Sequence, residues 1–159
     1  LVRARPLTAS GFAPYGRVLD LAGTDDPGVR RMSGEDWSDG FTLAPLIDGQ
    51  GHLGMTQAPA APWFARQMER HPRTEEALFC AAQPIVLAVA QGGEGAAPVA
   101  EAIEAFTIYP GQVAVMNRGV WHDACRGLTG PTPYYWMAIC GLGPDPWVEI
   151  GGGPVEVRA

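Results

Sequence analysis

The chain has 159 residues, 47% of them hydrophobic, and a formal net charge of −6 with a pI near 4.9. That length suits one domain with a core that needs no staples, and the acidity argues against a nucleic-acid partner, which selects basic surfaces. Lysine is absent, which excludes a pyridoxal-phosphate or Schiff-base lysine and a nucleotide-binding phosphate-loop lysine.

No apolar run approaches the ~20 residues of a membrane span, and the arginines of the opening Leu1-Val-Arg-Ala-Arg-Pro6 are followed by no apolar stretch of the kind a signal peptide has. Cys80, Cys125 and Cys140 are odd in number and lack metal-ribbon spacing. They read as small buried apolar residues in a reducing compartment, so a cytoplasmic protein without disulfides or a membrane partner is expected. None of the three serines sits in a Gly-x-Ser-x-Gly elbow.

In chain order, Thr8 caps a short helical turn that Pro14 and Gly16 end. Arg17 to Leu21 alternates as a strand. Residues 22 to 52 are rich in Gly, Asp and Pro, with strands expected only at Arg30 to Met32 and Phe41 to Ala44; His52 reads as a surface-loop residue. Leu53 to Gln57 is a strand. Trp63 to His71 fits either period: Phe64 and Met68 have helical spacing, whereas a strand would put Ala65, Gln67, Glu69 and His71 on one face. Leu78 to Ala90 is β, broken at Gln83-Pro84, and Ile103 to Tyr109, Gln112 to Met116 and Tyr134 to Ile139 are further strands. Glycine and proline, 21 and 15 in number, punctuate the chain at short intervals. Many short strands, dense turns and no long helix predict an all-β, antiparallel barrel or jelly roll over residues 1–159.

Two clusters carry chemistry. The first is Glu69-Arg-His71-Pro-Arg-Thr-Glu75-Glu76. On a strand Glu69 and His71 share a face, and Glu76 opens an apolar stretch facing the same interior, with Glu75 facing out. The second is Pro110-Gly111 followed by Asn117-Arg118-Gly-Val-Trp121-His122-Asp123. Together they resemble the two cupin motifs, with Glu69 where the first motif usually has a histidine. The resemblance implies a cupin-like fold and a Glu69, His71, Glu76 and His122 donor set for a divalent metal, Mn, Fe, Ni or Zn. Arg70 and Arg118 flank the two histidines, and arginine is the natural clamp for a small carboxylate. Trp121, Trp136 and Tyr109 read as core or pocket wall.

Three stretches are similar to the ureidoglycolate lyase family, the cupin enzymes of allantoin breakdown in purine metabolism: Arg5 to Leu19, Met68-Glu-Arg-His-Pro72 continuing to Phe79, and Arg118-Gly-Val-Trp-His122. The chain departs from the family pattern at Glu76, usually Gln, at Asn117, at Asp123-Ala124, and around Arg30 to Asp36. The resemblance implies cleavage of ureidoglycolate, or a related small 2-hydroxy or ureido acid, to glyoxylate and urea. His71, Glu76, His122 and Arg118 are then the expected catalytic groups, with Arg70, Arg118 and Trp121 binding a small anionic substrate. A homodimer is also expected. Another metal-dependent cupin enzyme, an isomerase or oxygenase, and a non-catalytic binding cupin remain open at this level.

Overall fold

The structure is a computed structural model that describes residues 1–95 and 97–159. Its organising strand is Ile85–Ala90, apolar and buried at all six positions. A strand shows period-two alternation only when one face meets water; this one lies between two layers. Ile85, Leu87 and Val89 point into the main core with Leu78, Phe106, Ile108, Ala114 and Met116. Val86, Ala88 and Ala90 point the other way, onto Trp63, Ala65, Val155 and Val157.

The main core separates two five-stranded sheets. One has the order Gly16–Asp20, Gln112–Met116, Glu76–Cys80, Thr132–Ala138, His52–Ala58, antiparallel throughout. The other centres on Ile85–Ala90, which pairs antiparallel with Glu104–Ile108 on one side and with Trp121–His122 and Arg126–Gly127 on the other. A small sheet of Val2–Arg3, Val155–Arg158 and Trp63–Ala65 covers the outer face of this second sheet. The outer face of the first is partly covered by Ile47, packed on Ala77, Val113 and Val115.

This is the all-β jelly roll the strand pattern predicts. Two features differ from the expected antiparallel barrel. Val2–Arg3 and Arg5–Pro6 pair parallel with their neighbours. Among the described residues the strand His52–Ala58 pairs only with Thr132–Ala138, so the sheet keeps an open edge there.

The local elements follow their chemistry. The α-helix is a single turn, Ala9–Phe12, and the Thr8 hydroxyl accepts from the Gly11 amide at 3.1 Å. The ambiguous stretch from Trp63 is extended, as Trp63–Ala65 and Gln67–Met68. Alternation buries Trp63 and Ala65 and exposes Phe64, then slips by one residue: Gln67 is exposed and Met68 buried. The expected shared face of Ala65, Gln67, Glu69 and His71 is therefore broken at Gln67, and tertiary packing outweighs the helical spacing of Phe64 and Met68. The hairpin Val29–Ser33 with Ser38–Thr42 lies within the region of weakest sequence signal, its second strand beginning three residues before the expected Phe41. No helix among the described residues is long and apolar enough to cross a membrane.

Candidate active site

The site lies at one end of the space between the two large sheets, and strand alternation selects what enters it. Glu76, Leu78 and Cys80 face the interior, while Ala77 and Phe79 pack on the outside. Glu75, one residue earlier, points outward as expected, and its carboxylate takes Arg17 at 2.8 Å. His122 enters from the second sheet. Its backbone pairs with Glu69 through two hydrogen bonds, 2.9 and 3.0 Å, which brings the Glu69-x-His71 pair alongside. The Gly119 amide donates to the His71 carbonyl at 2.9 Å and fixes the second end of that contact.

Four groups converge. The Nε2 atoms of His71 and His122 each lie 3.3 Å from the same oxygen, Glu76 Oε2, and each lies 3.8 Å from Glu69 Oε1. The imidazole centroids are 5.0 Å apart. Each Nδ1 has an acceptor: the Val120 carbonyl at 3.1 Å for His122 and Asp145 Oδ2 at 3.0 Å for His71. Both Nδ1 atoms therefore carry hydrogen, and both Nε2 atoms turn inward. Glu76 is only 8% exposed, and its Oε2 has no hydrogen-bond partner of good geometry. Two imidazole lone pairs and a carboxylate aimed at one point need a cation between them, either a proton or a metal.

The titration follows from this crowding. The Glu76 carboxylate pulls His71 up to about 9, against burial and with help from Asp145. Burial pushes His122 down, but Glu76 pulls it up by more, while the charge of His71 opposes. Burial pushes Glu76 up, and the two imidazoles more than reverse this, so it lies well below its ordinary 4.5. Burial raises Glu69. Glu76, depressed by the fold, stabilises above its unfolded value of 4.5 and loses that contribution as pH falls toward its folded value. His71, raised from 6.5, stabilises fully below 6.5 and loses its contribution as pH rises through about 9. In chelator-treated protein, the stability difference between wild type and His71→Asn is therefore expected to shrink between pH 6.5 and about 9. Thermal midpoints across that range check it; a difference constant with pH would assign the coupling elsewhere.

The cavity has a volume of about 470 Å³, and its walls are apolar: Leu78, Tyr134, Trp136, Leu142 and Trp147. Trp136 lies over Gly54, where a Cβ would sit 2.1 Å from the indole, and its Nε1–H donates to Thr56 Oγ1 at 3.1 Å. Only glycine lets that wall form. Asp123 also lines the cavity, its carboxylate taken by Trp63 Nε1–H at 2.8 Å and the Ala124 amide at 2.7 Å.

The structure brings Glu69, His71, Glu76 and His122 together and places Arg70, Arg118 and Trp121 apart from them. Trp121 alternates with His122 and is buried against the outer face of the second sheet. Arg70 alternates with Glu69 and His71, stacks on the Trp121 ring at 4.4 Å and donates to the Gly93 carbonyl at 2.8 Å. Arg118 pairs with Asp48. Both arginines line a separate cleft of about 440 Å³. Cys140 is exposed and lines the His/Glu cavity, unlike the buried Cys80 and Cys125; none of the three forms a disulfide. Tyr109 is 43% exposed rather than core, and His52 opens a strand, its Nδ1 accepting from the Cys140 amide.

Two cavity residues escaped the sequence reading. Arg73 lies in the turn at Pro72–Arg73, beyond the strand alternation, and reaches the cavity from there. Asp145 lies in the proline-flanked segment Pro144-Asp145-Pro146, where no periodicity points anywhere.

Comparison with known proteins bears on the fold and the family. A solved structure of RmlC from Streptococcus suis, in complex with dTDP-D-xylose, superposes with a TM-score of 0.51 at 11% identity, covering 90% of this chain and 72% of that one, a likeness of fold alone. The ureidoglycolate lyase of Rhodobacter capsulatus is 30% identical over 135 residues, 81% of this chain and 80% of that protein. The ureidoglycolate lyase of Azotobacter vinelandii is 26% identical over 149 residues, 91% and 89% of the two chains. The family model for ureidoglycolate lyase matches residues 1–145, and the chain belongs to that family.

Proposed function

We propose that the protein is a carbon–nitrogen lyase that splits ureidoglycolate into glyoxylate and urea. The observation that carries this reading is the convergence of two inward-facing Nε2 atoms and Glu76 Oε2 in a cavity with apolar walls, in a member of this family. The reaction moves two protons. The substrate hydroxyl loses one as its C–O bond becomes a carbonyl; the C–N bond breaks with its electrons going to nitrogen, and the departing urea nitrogen gains one.

The site holds one group for each transfer. His71, raised to about 9, is protonated at neutral pH and donates from Nε2 to the leaving nitrogen. Glu76 draws His122 up as well, while burial and the charge of His71 oppose its protonation; in the form of the site with the proton on His71, His122 accepts the hydroxyl proton at Nε2. Glu76, ionised between them, stabilises the shared proton in either position. The apolar walls reduce the water beside it.

The same donors fit a divalent ion, because they leave a buried oxygen without a partner. Glu69, His71 and His122 offer ligand atoms within 4.8 Å of one another, with Glu76 beside them, and would hold Mn, Fe, Ni or Zn. Such an ion would supply Lewis-acid polarisation of the substrate hydroxyl. Purified protein incubated with ureidoglycolate is expected to release glyoxylate and urea in equal amounts. Parallel assays before and after chelation, with elemental analysis, separate proton from metal chemistry. Absence of glyoxylate in both states would overturn the lyase reading.

The reading places the protein in the cytoplasm, in keeping with three cysteines that form no disulfide, in the branch of allantoin breakdown that yields glyoxylate. It also makes the protein a homodimer. Leu53 and Met55, 64% and 59% exposed on the open edge strand His52–Ala58, form a surface that a second copy would cover.

A further inference from the structure

The cavity is poorly suited, in charge, to the anion it is proposed to bind. Glu69, Glu76, Asp123 and Asp145 all line it, and a substrate carboxylate entering among four carboxyl groups is repelled. Among the described residues lining the cavity, Arg73 is the one permanent cation. Its side chain is 49% exposed, and one of its nitrogens donates to Asp145 Oδ1 at 3.2 Å. The other oxygen of the same carboxylate lies 3.0 Å from His71 Nδ1. One carboxylate therefore holds the guanidinium and the imidazole side by side.

The chain on the far side leaves room for this arrangement. Gly143, at φ +121°, brings its backbone against the guanidinium. A Cβ there would lie 2.8 and 2.9 Å from the two terminal nitrogens, so a side chain at 143 would displace the arginine. The remaining N–H groups of a planar fork in this position match the two oxygens of a carboxylate.

Resting on the lyase reading, we infer that Arg73 is the specificity-determining residue of the site: it binds the carboxylate of an α-hydroxy or α-keto acid and sets the α-carbon beside His71. The expected clamps, Arg70 and Arg118, are committed to Trp121, Gly93 and Asp48 in the other cleft.

The test uses two probes that need no turnover, glyoxylate and its uncharged methyl ester, with binding measured by calorimetry on wild type, Arg73→Ala, Arg73→Lys and Arg118→Ala. Arg73→Ala is expected to weaken glyoxylate by about ten- to a hundred-fold and to leave the ester unchanged. Lysine, a cation without the fork, is expected to restore part of the loss. In turnover, the Arg73→Ala defect is expected mainly in KM for ureidoglycolate. Wild-type glyoxylate affinity in Arg73→Ala would overturn the assignment, as would a selective loss in Arg118→Ala instead. If wild type binds glyoxylate through Arg73 yet makes none from ureidoglycolate, the lyase reading fails and the Arg73 assignment stands.

Discussion

Replacing His122 with alanine is expected to lower kcat on ureidoglycolate by about 10²–10⁴-fold, the usual range for loss of a general acid or base. The size follows from its position. The ring is 5% exposed, its Nδ1 is committed to the Val120 carbonyl, and its Nε2 has nowhere to point but the cavity. Neither of the two nearest groups replaces it as proton acceptor: Glu76 is held well below its ordinary value, too weak a base, and His71 already carries its proton.

Removing the ring also takes one of two imidazole partners from a buried carboxylate, which costs about 1–3 kcal/mol of stability. His71 at 3.3 Å from Glu76 keeps the loss from being larger. Steady-state kinetics with thermal melts separate the two effects. A kcat within tenfold of wild type would move the proton acceptor elsewhere, with Glu69 next in line at 3.8 Å.

The site was legible wherever one rule, strand alternation, applied without interruption. The shared face of Glu69 and His71 and the place of Glu76 at the head of an apolar strand follow from it, His122 was placed by the Pro110-Gly111 turn and the motif resemblance, and the structure brings their side chains together. The same rule, applied one residue along, separates Arg70 and Trp121 from them. Proximity in sequence to a histidine was the wrong guide to Arg70 and Arg118; Arg73 reaches the cavity from the Pro72–Arg73 turn, which no strand register covers. Asp145 lay beyond reach, because its place depends on a glycine- and proline-rich segment folding back over the cavity from residues 139 to 147. The fold divided the same way. Long apolar strands such as Ile85–Ala90 were plain from composition, whereas the two-residue parallel pairings of Val2–Arg3 and Arg5–Pro6 carry too few residues to show a period.

The largest effect on stability is expected at Phe106, which ties the N-terminal segment to the sheet that carries the site. Its ring is fully buried and packs edge-on against Phe12 at 5.3 Å and Tyr15 at 5.8 Å, with the Arg5 guanidinium 4.8 Å above it. Tyr15 in turn accepts the Asn117 amide on its carbonyl at 2.8 Å, and Asn117 begins the turn that leads to His122. Phe106→Ala removes the shared partner of three side chains, and an interior bounded by β-strands collapses little into the space. The cost is expected at about 3–5 kcal/mol, with the melting midpoint falling by roughly 6–20 °C for a domain of this size. Phe106→Leu keeps most of the volume and is expected to lose less than half as much. Below the transition, Phe106→Ala should retain kcat within a few-fold, because the backbone pairing of Glu69 with His122 and the strand of Glu76 do not depend on the ring. Equal losses for alanine and leucine would show that the edge-on aromatic contacts, rather than the filled volume, hold the N-terminal segment in place.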